Sequence, residues 1–549
     1  MATAWHGKEY LRRRRICPWH DLWHDNFQAG AFSSPVSSAD PSPMQLQKGL
    51  TYSPTPELDT SLWRPYYRVG YSRTGNYLST GKEPVMAVFV GRAKELATLR
   101  KAFESKRSEL VPVYGRRRVG KSELLTHFMH GRPGIYFLGK KSPVRMQLRE
   151  FMCCAAAALG KAWLAEIDPG DWMTALRRVV SEWDEPKGKL VIALDEFQWT
   201  CESSPDLPAV LQELWDREWK GNGKILLILC GSYIGFMERE VLGRKSPLYG
   251  RRTAQIQLKP FPFFEAAQFH ASWSEENRAI AWFLCGGVPY YLELVDSHMS
   301  IENNIVANFL NEHSALFGEP DFLLREELRQ LPVYNGILTA LGTGCRRPSE
   351  IAAWTGVAET SLGYYLQQLC GLGYVKKRYP LSPRKPSPRS VSYELDDPLL
   401  RFWFRFVGPN ISAITFLGPR TAYLSAVKPR LDSYFGHCFE RMCRDALPYI
   451  YKREGVVSAF EIGEYWADDL QIDVVGIRQD RWIDLGECKW TGRNAVSSAA
   501  KEIVPKCERF PNPRNCTIHP RVFVRRGKPD AVGAGKVRVH RLPELYELA

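Results

Sequence analysis

The sequence lacks any apolar run long enough to cross a bilayer. The uncharged segment Ile225 to Met237 falls short of the roughly 18 residues a spanning helix needs. It has no CxxC pair, no secretory signal peptide, and thirteen cysteines, an odd and scattered set. These absences exclude a membrane bundle and argue against a disulfide framework or a ribbon-type zinc site. They make a reducing cytoplasm the default location. Cys17, His20 and His24 come nearest to a metal cluster, but a fourth ligand and a foldable context are missing. No internal repeat of about 20–50 residues is visible, which excludes a solenoid. What is present is a long, ordinary globular chain. At roughly 100–200 residues per domain, 549 residues call for three or four units. The 44% hydrophobic and 24% charged content rules out wholesale disorder. A net charge of +14 favours a polyanionic partner such as nucleic acid.

Residues 1–85 differ from the rest. Between Ser33 and Pro56, six serines and five prolines fill eleven of 24 positions, so a mostly disordered leader is expected. The basic run Arg12 to Arg15 has Glu9, Asp21 and Asp25 around it, which argues against a targeting peptide. Translation starting at Met86 is the sharper alternative. From Val88 to about Leu294, apolar blocks alternate with amphipathic helices. Leu110 to Tyr114, Leu190 to Leu194 and Ile225 to Leu229 read as buried parallel strands of an α/β domain.

Gly115-Arg116-Arg117-Arg118-Val119-Gly120-Lys121-Ser122 fits G-x-x-x-x-G-K-[ST] without a mismatch. The glycines let backbone N–H groups face phosphate oxygens, Lys121 reaches the β- and γ-phosphates, and the Ser122 hydroxyl ligates Mg²⁺. A helix opening at Glu123-Leu124-Leu125 places its N-terminus under the phosphates. The strand Leu190 to Leu194 runs into Asp195-Glu196. Two acids at the end of a buried strand need a cation or a proton. Asp195 is the Mg²⁺ partner and Glu196 polarises the attacking water. Ser232, after the third strand, sits where a polar residue senses the γ-phosphate or orients water.

Together with Phe89-Val90-Gly91-Arg92, Leu194-Asp195-Glu196-Phe197-Gln198, Pro247-Leu248-Tyr249-Gly250-Arg251 and Gly286-Gly287-Val288-Pro289-Tyr290, this loop resembles the archaeal-type ATPases of the AAA+/STAND class. The resemblance covers about residues 88–300 and implies an ASCE-type ATP-binding core with a helical lid, over 86–300. It also implies that Arg251 or Arg252 contacts the γ-phosphate of a neighbouring subunit, in a nucleotide-dependent homo-oligomer, or senses it in cis. The lid lacks an evident sensor-2 arginine, which favours a switch over a ring motor.

Within 301–410, Pro348 to Trp354, then Gly356, then Thr360 to Leu366 has the helix-turn-helix pattern. The segment Lys376 to Arg389 carries six basic residues and no acid, a wing suited to DNA phosphates. A protein-interaction winged helix is the alternative. In 420–549, a helix over Leu431 to Leu447 places Leu431, Tyr434, Phe435, Cys438, Phe439 and Met442 on one face, with Glu440 beside it. Asp473 on one strand and Glu487-Cys488-Lys489 on the next, fourteen residues after Asp473, give the PD-(D/E)xK nuclease arrangement. There Asp473 and Glu487 hold Mg²⁺, and Lys489 orients water or steadies phosphorane charge. Alternation puts Glu487 and Lys489 on one side, able to meet Asp473. The segment resembles the domain of unknown function, DUF234, fused to archaeal-type ATPases, a domain that looks like a restriction-endonuclease fold. Glu440, Asp473, Glu487 and Lys489 match it.

The fold expected is thus α/β throughout: a P-loop core with helical lid, a winged helix-turn-helix, and a restriction-endonuclease-like end. The leading function is a cytoplasmic Mg²⁺-dependent ATPase whose nucleotide state controls a DNA-directed, nuclease-like domain. A non-catalytic, ATP-gated DNA-binding regulator and a signalling switch acting through proteins alone are the alternatives.

Overall fold

Short blocks of leucine, isoleucine and valine build the first layer. In the computed structural model, which describes residues 89–547 apart from 184–187, 385–386, 388–389, 468, 493 and 528–536, these blocks become the strands β1 (Glu109–Tyr114), β3 (Leu190–Asp195) and β4 (Ile225–Gly231), buried along their whole length. The expectations for residues 1–85, including Arg12 to Arg15 and the Cys17, His20 and His24 cluster, and for a start at Met86, lie outside the described residues. With β2 (Gly134–Leu138) and β5 (Ile256–Gln257) they form an all-parallel sheet in the order β2-β3-β4-β1-β5. Burial on both faces explains the near-continuous apolar runs. Leu110, Ile192 and Leu227 meet Phe151 and Trp172 on one face, while Val111, Val191 and Ile228 meet Leu124, Leu125 and Phe128 on the other. Because β4 lies between β1 and β3, the ends of all three strands open at one edge, where the Gly115 loop, Asp195 and Ser232 emerge together.

The helices Glu275–Cys285 and Pro289–Glu293 follow, then Ala315–Glu327. Three more helices, Leu331–Thr343, Pro348–Thr355 and Glu359–Gly371, share a core of Ile337, Ile351, Leu362, Leu366 and Leu369. Gly356 ends the middle helix at φ 70°, a left-handed cap that glycine adopts without Cβ strain. An antiparallel hairpin of β6 (Val375–Arg378) and β7 (Ser392–Leu395) completes this part.

The helix expected over 431–447 extends to Lys428–Arg453, and its predicted face is buried. The C-terminal sheet has the order β12-β11-β10-β9-β8, from β8 (Phe460–Ala467), β9 (Leu470–Arg478), β10 (Trp482–Lys489), β11 (Thr517–Val524) and β12 (Arg538–Arg541). Strand β9 runs antiparallel to both its neighbours, β8 and β10, and β10, β11 and β12 run parallel. Helix Lys428–Arg453 covers one face through Phe439, Met442 and Leu447. Helix Ala495–Arg509 covers the other through Ala499 and Ile503. Among the described residues no helix is long and apolar enough to cross a membrane.

One continuous core joins the helix Glu275–Cys285 to this sheet. Phe283 meets Trp490 edge-on at 5.3 Å, and both approach Phe435. Phe283→Ala therefore removes a buried aromatic contact between the two halves. It is expected to cost about 3–5 kcal/mol in urea unfolding; a loss under about 1 kcal/mol would contradict the shared core.

Candidate nucleotide site and C-terminal acidic site

The loop after β1 is held from below. Gly115 lies so close to Leu258 that a Cβ there would sit 2.3 Å from the Leu258 carbonyl oxygen, and Gly120 has φ 84°. Val119 is wholly buried, and its carbonyl accepts from Arg92 Nη2 at 2.9 Å. Arg92 is itself buried over the Phe261 ring at 4.0 Å, so the Phe89 to Arg92 motif acts as a buttress for the loop. Lys121 opens the helix Lys121–Met129, and its ammonium donates back to the Gly115 and Arg116 carbonyls at 3.0 Å each. Among the described residues none accepts from the backbone N–H groups of Gly120, Lys121 or Ser122. That concentration of unpaired donors and one ammonium favours an anion.

Asp195 and Ser122 meet at the strand edge. Ser122 Oγ donates to Asp195 Oδ2 at 2.6 Å, and the Glu196 N–H donates to Oδ1 at 2.8 Å. Tyr136, on β2, also donates to Oδ2, at 2.5 Å. Burial and the neighbouring Asp195 carboxylate push the Tyr136 phenol up, so it stays a donor. Glu196 occupies the left-handed region at φ 49°, uncommon for a residue with a side chain and a mark of local constraint. Its Oε2 accepts from Ser232 Oγ at 2.6 Å and from Gln198 Nε2. The carboxylate at 196 is thus aimed by two buried side chains from two different segments.

The three arginines of the loop each find an acid downstream. Arg116 pairs with Asp397, Arg117 with Glu326 at 2.9 Å, and Arg118 with Glu319 at 2.6 Å. Arg118 also lies over the Tyr290 ring at 4.3 Å, and Glu319 accepts from Tyr291 OH at 2.9 Å. Burial pushes the Glu319 carboxyl up, opposed by Arg118. Burial also works against the charge on Arg116, yet Asp397 holds that guanidinium above the usual arginine range. No sequence pattern pointed to these partners.

Arg251 is not at this site in cis. Its guanidinium is bound to Asp216 at 2.6 Å and to the Pro247 and Tyr249 carbonyls. Two residues on, Thr253 donates to the Leu110 carbonyl at the start of β1, opposite the end that carries Gly115. The expectation of cis sensing by Arg251 is corrected accordingly: the chain between β4 and β5 turns at the far end of the sheet.

In the C-terminal sheet, Asp473 is buried and its Oδ2 accepts from the Cys488 N–H at 3.0 Å. Glu487 Oε1 accepts from Lys489 at 3.3 Å, and Oε2 accepts from Lys506 at 2.6 Å. Lys489 also donates to Glu502 at 2.7 Å. Burial raises the Asp473 carboxyl far above its ordinary range, reinforced by the charges of Glu440 and Glu487. Burial raises Glu487 as well, against the pull of Lys506 and Lys489. Glu440 pairs with His437 at 3.3 Å and lies near enough to oppose ionisation of Asp473. Among the described residues, no three His, Cys, Asp or Glu side chains converge tightly enough to hold a metal ion by themselves. Lys506 was not foreseen, although Glu502 and Lys506 share a helix face at i, i+4 spacing.

The basic hairpin divides. Lys376, Lys377 and Arg384 are exposed, with Trp354, Tyr364 and Tyr379 also open to solvent. Arg378 is not part of that surface: it is bound to Glu394 and Glu464, both at 2.5 Å. Lys385 and Arg389 lie outside the described residues.

Residues 89–295 match the family described as an ATPase domain predominantly from Archaea, and residues 403–503 match DUF234, archaeal and bacterial proteins of unknown function. An uncharacterised protein of Methanocaldococcus jannaschii is 28% identical over 413 residues, spanning 73% of this chain and 88% of its own. Among solved structures, the Walker-type ATPase of Pyrococcus abyssi is 21% identical. It covers 58% of this chain and 96% of its own, with a TM-score of 0.45. The ORC2 protein of Aeropyrum pernix, solved in ADPNP and ADP complexes, is 14% identical over 59% of this chain and 95% of its own, with a TM-score of 0.38. Residues 89–295 thus belong to the predominantly archaeal ATPase family, and residues 403–503 belong to DUF234.

Proposed function

We propose that this chain is a Mg²⁺-dependent ATP hydrolase whose nucleotide state governs a DNA-directed, nuclease-like C-terminal domain. The observation that carries the ATPase reading is the contact of Ser122 with Asp195, at the edge where the loop and β3 end together. A hydroxyl and a buried carboxylate 2.6 Å apart are two hard oxygen donors of the kind Mg²⁺ takes with phosphate and water, so the residues fit that ion. When bound, the ion neutralises charge on the β- and γ-phosphate oxygens. Lys121 and the free N–H groups of Gly120, Lys121 and Ser122 bind the same oxygens. Glu196 accepts a proton from the attacking water, and Ser232 and Gln198 hold its carboxylate in line.

The three pairs of Arg116, Arg117 and Arg118 with Asp397, Glu326 and Glu319 support the control part of the reading. Polyphosphate in the loop competes with those acids for the same guanidinium groups. Helices Leu331–Thr343, Pro348–Thr355 and Glu359–Gly371 with the β6–β7 hairpin read as a winged helix. Its exposed Lys376, Lys377 and Arg384, beside open aromatic rings, suit phosphate and base contacts.

In the C-terminal sheet, Asp473, crowded by Glu440 and Glu487, fits a cation; Glu487, with a lysine on each oxygen, does so only after those lysines move. That second fact favours the other reading, a DNA-binding regulator that does not cleave. Metal-dependent nicking that is lost in Glu487→Ala, with ATPase turnover unchanged, distinguishes the two. Wild-type protein inert toward DNA and RNA in Mg²⁺ or Mn²⁺ leaves the regulator.

For the ATPase itself, Lys121→Ala is expected to abolish ATP binding or turnover. Glu196→Gln is expected to keep nucleotide binding and lose turnover by about 10²- to 10⁴-fold in a phosphate-release assay. Wild-type hydrolysis in Lys121→Ala would sink the assignment. The raised Asp473 carboxyl also gives a sign for stability. A carboxyl that binds its proton more tightly when folded is most favourable below its unfolded value, near 4. Its contribution falls as pH rises from there toward the folded value. Asp473→Asn is therefore expected to raise Tm at neutral pH, with the gain shrinking toward pH 4. A variant less stable than wild type at pH 7.5 would contradict the crowding.

A further inference from the structure

Asp195 is held from a second side that the loop motif does not supply. Its Oδ2 accepts both Ser122 Oγ, at 2.6 Å, and Tyr136 OH, at 2.5 Å. Tyr136 lies on edge strand β2, in register with Ala193 on β3, two residues before Asp195. In parallel strands, register partners point to the same face, and so do residues two apart, so Tyr136, Ala193 and Asp195 share one side of the sheet. Two residues along a strand span roughly 6.6 Å, about the length of a tyrosine side chain. The small Ala193 leaves room for the ring to lie along the strand, and the phenol ends at the carboxylate. A phenylalanine would fill the same space and make no such bond.

We propose that Tyr136 is a positioning residue for the magnesium-binding carboxylate. It keeps Asp195 oriented when the Ser122 hydroxyl turns its lone pairs to the cation. Of the two hydroxyls on Oδ2, one belongs to a residue with a duty toward the ion, and the other does not. Tyr136 fixes the carboxylate before the ion arrives, so less side-chain freedom is lost when it binds. This rests on reading the Gly115 to Ser122 loop as a magnesium–nucleotide site.

The test is binding of a fluorescent ADP analogue to the full chain, in EDTA and across a Mg²⁺ titration, for wild type, Tyr136→Phe and Lys121→Ala. Tyr136→Phe is expected to match wild type in EDTA and to need roughly 10- to 100-fold more Mg²⁺ for half its effect, the size of one lost charge-assisted hydrogen bond. An unchanged Mg²⁺ requirement overturns the proposal. Equal weakening with and without Mg²⁺ also overturns it, because the tyrosine then serves the fold. If wild type binds no nucleotide in either condition, and Lys121→Ala has nothing to lose, the nucleotide reading itself has failed and takes this inference with it. Should Tyr136→Phe not fold, 3-fluorotyrosine at position 136 gives a second readout. Its ¹⁹F resonance should shift when Mg²⁺ is added to the nucleotide complex, and a resonance that does not move counts against the role.

Discussion

Three guanidinium groups in a row repel one another, and on a phosphate loop each also invites anions. The fold answers by giving Arg116, Arg117 and Arg118 a separate carboxylate each, at Asp397, Glu326 and Glu319. Two of these acids, Asp397 and Glu319, also serve elsewhere in the fold. Asp397 Oδ1 accepts from the Leu400 N–H at 2.7 Å and so caps the helix Pro398–Phe402. Glu319 also takes the Tyr291 hydroxyl, and helix Ala315–Glu327 carries both glutamates. Two segments far apart in sequence therefore depend on the loop keeping its arginines in place. Removing one member of a buried ion pair leaves the other uncompensated, typically a loss of about 3–5 kcal/mol, so Arg116 and Asp397 are tightly bound to each other's presence.

The two acidic centres solve the same problem with different chemistry. Asp195 is buried and satisfied by neutral donors: two hydroxyls and a backbone N–H. None of those donors carries a charge, so a cation can be added without displacing another. Glu487 is satisfied by the ammonium groups of Lys489 and Lys506, which already neutralise it, while Asp473 nearby has only the Cys488 N–H. A cation entering there must first exchange with lysines. Of the two, Asp195 is the better placed to take a cation.

The parallel sheet was legible because its strands are buried on both faces and read as unbroken apolar runs. The loop, Asp195 and Glu196 were legible because local sequence alone places them at strand ends. The buried stripe from Leu431 to Met442 followed from helical period. What escaped was tertiary. Nothing near Tyr136 in sequence announces that β2 pairs with β3 in the register that brings its hydroxyl to Asp195. Glu319, Glu326 and Asp397 lie some two hundred residues or more beyond the arginines they bind. Cis sensing by Arg251 failed for the converse reason: its motif was visible, but the turn that carries it runs to the other end of β1. Arg378 belongs to the basic wing by sequence alone, but Glu394 and Glu464, the second on β8, bind it.

Coupling through the arginine pairs is tested most directly by hydrogen exchange of the full chain, following the segments 315–327 and 392–402 with no nucleotide, with ADP and with ATP. If polyphosphate competes with the acids, ATP should change amide protection in both segments, and Lys121→Ala should remove the change. Exchange in both segments that is identical in all three states, in a protein that demonstrably binds ATP, would contradict it.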